Sequence, residues 1–244
     1  MFIDGFGISG YRSFGQTLQM VGPLDKINLF IGQNNAGKSN LLLFLVHHYG
    51  IALKLAKGDS AKQLQLAHLD SHQGMNSPKL RVSFGIKIGG EQFQNGLKRF
   101  ESNLQRHGLD AKPLEKILCS KYLTQGTGCA WFCYVREGNE FKLIPDLLKE
   151  IRTEGILEDH KWSQLWSVLT GQNGGSLERH WIPEILRMLS SLIPDPPKIE
   201  LVPAIRKVGE AGTAAQDFSG VGLIDRLAEL QHPSCCAPLR FGQV

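Results

Sequence analysis

Gly32-Gln33-Asn34-Asn35-Ala36-Gly37-Lys38-Ser39 decides how this chain folds. Two glycines five positions apart, followed directly by lysine and serine, form the spacing that lets a backbone wrap around phosphate. Gly32 and Gly37 permit successive amide N–H groups to face inward where side chains would block approach. Lys38 is expected to bring a point charge to the β and γ phosphates of ATP, and Ser39 a hydroxyl to Mg2+. Ala36 and Asn40 complete the expected contact set. Asn34 and Asn35 either reach the γ-phosphate end with their side chains or tolerate left-handed backbone.

Such a loop has to follow a buried strand and open a helix, whose positive dipole end then faces the phosphates. Residues 27–31, Ile-Asn-Leu-Phe-Ile, predict the strand, and residues 38–49 predict the helix. That helix is apolar nearly all round over 41–46, as expected of a buried one. Upstream, Phe2, Phe6 and Ile8 share one side of an extended segment, 9–15 reads as a turn, and 17–21 returns as a second strand before Gly22-Pro23 breaks the chain.

Downstream, more helix is expected over 51–70, interrupted near 58–60. Residues 80–88 alternate apolar and polar, which predicts a half-buried strand. Helices are predicted at 97–105 and 114–122. A strand at 129–135 is expected to pair with 140–144 as a hairpin. Residues 146–170 read as helical pieces, and 183–193 as a helix with Pro183 at its permitted first position. Pro194-Asp195-Pro196-Pro197 marks a boundary; beyond it, 198–205 reads as a strand and Ser219 as the cap of a helix to residue 230.

The 244 residues, 42% of them hydrophobic, have ordinary globular composition, and the net charge of +4 is spread without a basic block. A DNA partner is thus permitted rather than indicated. No secretory signal is read at the N-terminus, and the longest apolar run, 41–46, falls far short of the roughly 20 residues that span a bilayer. Five cysteines fit reduced thiols, and the expectation is a cytoplasmic protein with no membrane partner. Cys129 and Cys133, and His232 with Cys235 and Cys236, lack zinc spacing; Trp162 and Trp166, four apart, predict a helical core face.

Ile8-Ser9-Gly10-Tyr11-Arg12-Ser13-Phe14, together with the loop and its doubled asparagine, resembles the start of the ABC-type ATPases that include RecF, the structural-maintenance-of-chromosomes proteins and the OLD-family nucleases. A looser likeness to the OLD branch lies in 201–206 and 219–224. The resemblance implies an α/β, P-loop NTPase fold with a mixed sheet, an antiparallel β-subdomain and a largely helical insertion. It also implies ATP sandwiched in a homodimer of ATPase heads. Arg12 would lie near the phosphates; alternatively it is a solvated turn residue. On this basis residues 1–50 are the ATPase core, 51–197 a mainly helical insertion with a hairpin, and 198–244 a truncated return to the core.

Hydrolysis in that group needs an apolar strand ending in Asp-Glu, and the sequence has none. Residues 221–225 and 156–159 imitate it and read as helix surface; 169–172 and 218–222 imitate a signature loop, but neither is followed by such a strand. Lys98, Arg99, Arg106 and Lys112 either face nucleic-acid phosphate or are a solvated surface. The expected function is the ATP-binding portion of an ATPase in nucleic-acid maintenance or phage defence. A kinase or GTPase, or a non-enzymatic remnant, is the alternative.

Overall fold

Phe6 and Ile8 alternate with glycine and serine, and the segment forms a buried strand, β1 (Gly5–Ser9). The computed structural model describes residues 3–201 apart from 34, 35, 60 and 74–78. The chain divides into two compact units, Met1–Lys198 and Ile199–Val244, and every element below belongs to the first. The strand expected at 198–205 and the helix capped by Ser219 lie largely or wholly outside the described residues.

β2 (Gln19–Val21) returns antiparallel beside β1, with Gly7 opposite Met20. On the other side of β1 lies β3 (Arg81–Lys87), then β4 (Cys129–Glu137), then β5 (Glu140–Leu143) across the tight turn at Gly138-Asn139. The order is β2-β1-β3-β4-β5, antiparallel throughout, so the described architecture is α/β with a five-stranded antiparallel sheet where the sequence had suggested a mixed one. Strands from 1–50 and from 51–197 share this one sheet, joined where β1 pairs with β3.

The half-burial expected of β3 is corrected: Val82 through Ile86 are buried on both faces. Phe84 meets the ring of Tyr49 at 5.4 Å on one side. On the other, Ser83 Oγ lies 3.3 Å from Cys133 Sγ, and Gly85 lies beneath Trp131. Gly5, Gly85 and Trp131 stand in one cross-strand row, and the indole lies across both glycines. A Cβ on Gly85 would approach the ring to 2.9 Å, so only glycine leaves room for it. Leu18, Met20 and Ile144 close this second core around Cys129, Trp131 and Cys133.

The opposite face carries a continuous 19-residue helix, Lys38–Ala56. It consists of α1 (Lys38–Phe44), a π turn (Leu45–Tyr49) and α2 (Gly50–Ala56). It thus outruns the 38–49 predicted from sequence. By length and composition alone it could cross a membrane; in the structure Phe44, Tyr49, Ala52 and Leu53 are buried within the protein. Tyr49 packs edge-on against Phe6 as well as Phe84, and Phe44 against Tyr11. The helix ends at Gly58, which takes the left-handed conformation (φ 92°). The further helix expected up to residue 70 is absent: only a 3-10 turn forms, His68–Asp70.

The remaining helices are α3 (Glu91–Arg106), α4 (Lys112–Leu118), α5 (Lys121–Thr124), α6 (Pro145–Thr153), α7 (Asp159–Thr170) and α8 (Ile182–Ser190). Trp162 and Trp166 of α7 are buried as their spacing predicts, and Trp166 Nε1 donates to Glu184 at 2.6 Å. α8 is the last helix among the described residues and carries Pro183 in its first turn, as predicted; a π turn, Leu177–Trp181, runs directly into it.

Residues 27–31 do not form the buried strand expected before the glycine-rich loop. They pair with no strand among the described residues, and Ile27, Leu29 and Ile31 are 91%, 81% and 84% exposed.

Candidate phosphate-binding site

The loop and the helix start coincide. Gly37 takes the left-handed conformation (φ 88°), α1 begins at Lys38, and Leu41 N–H donates to the Gly37 carbonyl at 2.9 Å. Ala36 N–H donates to the Gln33 carbonyl at 3.2 Å; Asn34 and Asn35 are outside the described residues. Lys38 folds back onto the start of the loop: its Nζ donates to the carbonyls of Gly32 and Gln33, each at 2.6 Å. The ammonium therefore sits on the loop's own oxygens, where phosphate oxygens can replace them as acceptors. Ser39 is exposed in the first turn.

The turn after β1 packs directly onto this junction. A Cβ on Gly37 would lie 2.9 Å from Ser13 Oγ and 3.5 Å from the Phe14 ring, so the close approach requires glycine. Asn40 Nδ2 donates to Ser13 Oγ at 2.9 Å, and Arg12 Nη1 reaches Asn40 Oδ1 at 3.5 Å. Gly32, Ala36, Gly37, Lys38, Ser39, Asn40 and Arg12 are thus brought together.

Arg12 is held from behind. Its Nε and Nη2 donate to Asp70 Oδ1 at 2.9 and 2.7 Å, while Ala67 N–H donates to Asp70 Oδ2 at 2.9 Å. His48, from the π turn, places Nε2 3.8 Å from the same carboxylate. Burial alone would push the Asp70 carboxyl up; the Arg12 and Ala67 hydrogen bonds, with the Arg12 charge, bring it below its ordinary value. The hydrogen bond to Asp70 raises Arg12 in turn. Burial holds His48 below the usual histidine value despite Asp70, and raises the Tyr11 hydroxyl, which has no hydrogen-bond partner among the described residues.

Ser13, His48, Asp70 and His72 escape a reading by motif. Ser13 had a signal, its adjacency to Arg12 in the early Arg-Ser-Phe. Asp70, 58 residues after Arg12 in a stretch that reads as helix, had none.

Of the imitations of catalytic motifs, the two among the described residues lie in no strand. Ile156 and Leu157 are buried just ahead of α7, with Glu158 at its N-cap and no strand. Residues 169–172 lie at the C-terminal end of α7 around the left-handed Gly171, and 218–225 lie outside the described residues. Burial pushes Cys129 up to about 11 and raises Cys133, keeping both thiols protonated. No group of His, Cys, Asp and Glu capable of holding a metal occurs among the described residues. Lys98, Arg99, Arg106 and Lys112 are exposed, and Lys112 pairs with Asp110 at 3.5 Å. Compared with known proteins, the chain matches no family model, no curated protein and no solved structure.

Proposed function

We propose that this chain binds ATP through residues 32–39, as the nucleotide-binding portion of an ABC-type ATPase head with a P-loop NTPase fold. The observation that carries the reading is the Lys38 ammonium lying 2.6 Å from two carbonyls of the loop it belongs to, at a helix start set by a left-handed glycine. A lysine so placed exchanges backbone acceptors for phosphate oxygens without moving the helix. Gly32 and Gly37 bring main-chain N–H groups, Ala36 one that would exchange the Gln33 carbonyl for phosphate, Asn40 and Arg12 flank the first turn, and Ser39 brings the hydroxyl for Mg2+. When bound, the cation neutralises phosphate charge.

In this reading, turnover needs a water-positioning acid that the sequence does not hold, and the complete head acts as a homodimer on DNA, in maintenance or phage defence, in the cytoplasm. The early Arg-Ser-Phe and the doubled asparagine support that assignment.

The test is thermal melting with Mg·ATP. Ligand at about 100 times its dissociation constant adds about 2.7 kcal/mol. At about 2–4 °C per kcal/mol for a unit of this size, the midpoint should rise by about 5–10 °C. Lys38→Ala should abolish the rise. An equal rise in that variant, or none in the wild type, overturns ATP binding at this loop; an equal rise with GTP replaces the ATPase assignment with that of another P-loop enzyme.

A further inference from the structure

Arg12 is one of two non-glycine residues among those described with a left-handed backbone (φ 46°). For a side chain of this size the conformation costs about 1–2 kcal/mol and persists only where its surroundings fix it. Here the surroundings are residues 70–72. Arg12 N–H donates to the Asp70 carbonyl at 2.8 Å, His72 Nδ1 lies 2.6 Å from the Arg12 carbonyl, and His72 N–H donates to the Gly10 carbonyl at 3.2 Å. Tyr11 and Ser71 form a bridge between these contacts. The main chain of Arg12 is therefore gripped on both sides.

The side chain is gripped by the same residue. Asp70 engages Nε and Nη2, and its second oxygen is fixed by Ala67 N–H, so the carboxylate cannot turn away. With that edge occupied, Nη1 is directed at Asn40 in the first turn of the helix that Lys38 opens. The arginine is about one-third exposed while its carboxylate partner is almost buried, so the guanidinium is the member of the pair that an anion can reach.

We infer that Asp70 is a positioning residue for nucleotide binding: it aims Arg12 at the phosphates beside Asn40. The inference rests on the ATP-binding reading. Asp70 itself touches no nucleotide and acts only through the guanidinium it holds. Its negative charge would by itself repel ATP, so a direct electrostatic effect of the carboxylate on the nucleotide would be unfavourable.

The test is a double-mutant cycle on the dissociation constant of a fluorescent ATP analogue with Mg2+, using wild type, Arg12→Ala, Asp70→Asn and the double variant. Loss of one charge-assisted contact corresponds to about tenfold in affinity. Arg12→Ala and Asp70→Asn should each weaken binding about tenfold, and the double variant no more than Arg12→Ala alone. A role in folding only would lower the ligand-free melting point and weaken binding equally with or without Arg12. Asp70→Glu keeps the charge and covers the case in which Asp70→Asn does not fold: the displaced guanidinium should still weaken binding several-fold. Multiplicative losses, or unchanged or tighter binding in the Asp70 variants, overturn the inference while Lys38-dependent binding survives. If wild type binds no ATP, or Lys38→Ala binds as well as wild type, both readings fall.

Discussion

Gly37→Ala separates the two demands that the structure places on this glycine. The backbone at φ 88° costs an alanine about 1–2 kcal/mol. The new Cβ would also stand 2.9 Å from Ser13 Oγ, closer than packed atoms tolerate, and Ser13 cannot rotate away without losing the hydrogen bond from Asn40. Local overpacking of this kind adds about 1 kcal/mol, for a total of about 2–3 kcal/mol. If the cost falls on the whole unit, the melting midpoint drops by about 5–10 °C. If the loop opens instead, the midpoint holds and the loss appears as an ATP affinity about 30–100-fold weaker. Gly32→Ala is the control, since its Cβ would meet only Ala36 at 3.5 Å and the Lys38 side chain at 4.0 Å, and its ligand-free melting should match wild type. Adding Ser13→Gly to Gly37→Ala should recover about 1 kcal/mol, the steric share. A Gly37→Ala variant that matches wild type in both melting and ATP affinity would refute a Gly37 fixed by left-handed geometry and by contact with the β1 turn.

Two further outcomes follow from the packing and charge of the same unit. Gly85→Ala drives a methyl to within 2.9 Å of the Trp131 ring, which is anchored by its bond to Thr127 at 2.7 Å, and should cost about 1–3 kcal/mol in urea unfolding; Trp131→Phe in the same chain should reduce that cost. Acid should destabilise the fold in two stages. His48 is held below 6.5 by burial, so the unfolded chain binds the proton more readily and stability falls as pH drops below about 6.5; His48→Gln should flatten the change in urea midpoint between about pH 7.5 and 5.5. Asp70, held below 3.8, contributes stability above that value and loses it as pH falls through its lower folded value.

The loop and its helix were legible because glycine, lysine and serine at fixed spacing satisfy a local demand of the backbone. So was the β4–β5 hairpin, whose turn residues sit between two apolar runs. β3 misled because Ser83 and Gly85 look solvent-facing in the sequence, whereas small size is what their face needs to admit Cys133 and Trp131. Residues 27–31 have strand composition, but a ladder also needs neighbours, and composition does not supply them. Asp70 could not be found from sequence: a single acid acquires its role from a main-chain clamp that exists only once residues 10–12 and 70–72 lie side by side.

The π turn at Leu45–Tyr49 makes chain length itself a structural specification. It holds one residue more than a regular helix would, and each residue turns an α-helix by about 100°. The turn takes up that extra residue without rotating the helix on either side, so removing one of these five positions should regularise the rod with Lys38, Ala52 and Leu53 still in place, whereas removing two would turn one end by about 100° against the other. The number of amino acids between the phosphate loop and the hydrophobic anchor is therefore fixed to within the one residue that the turn absorbs.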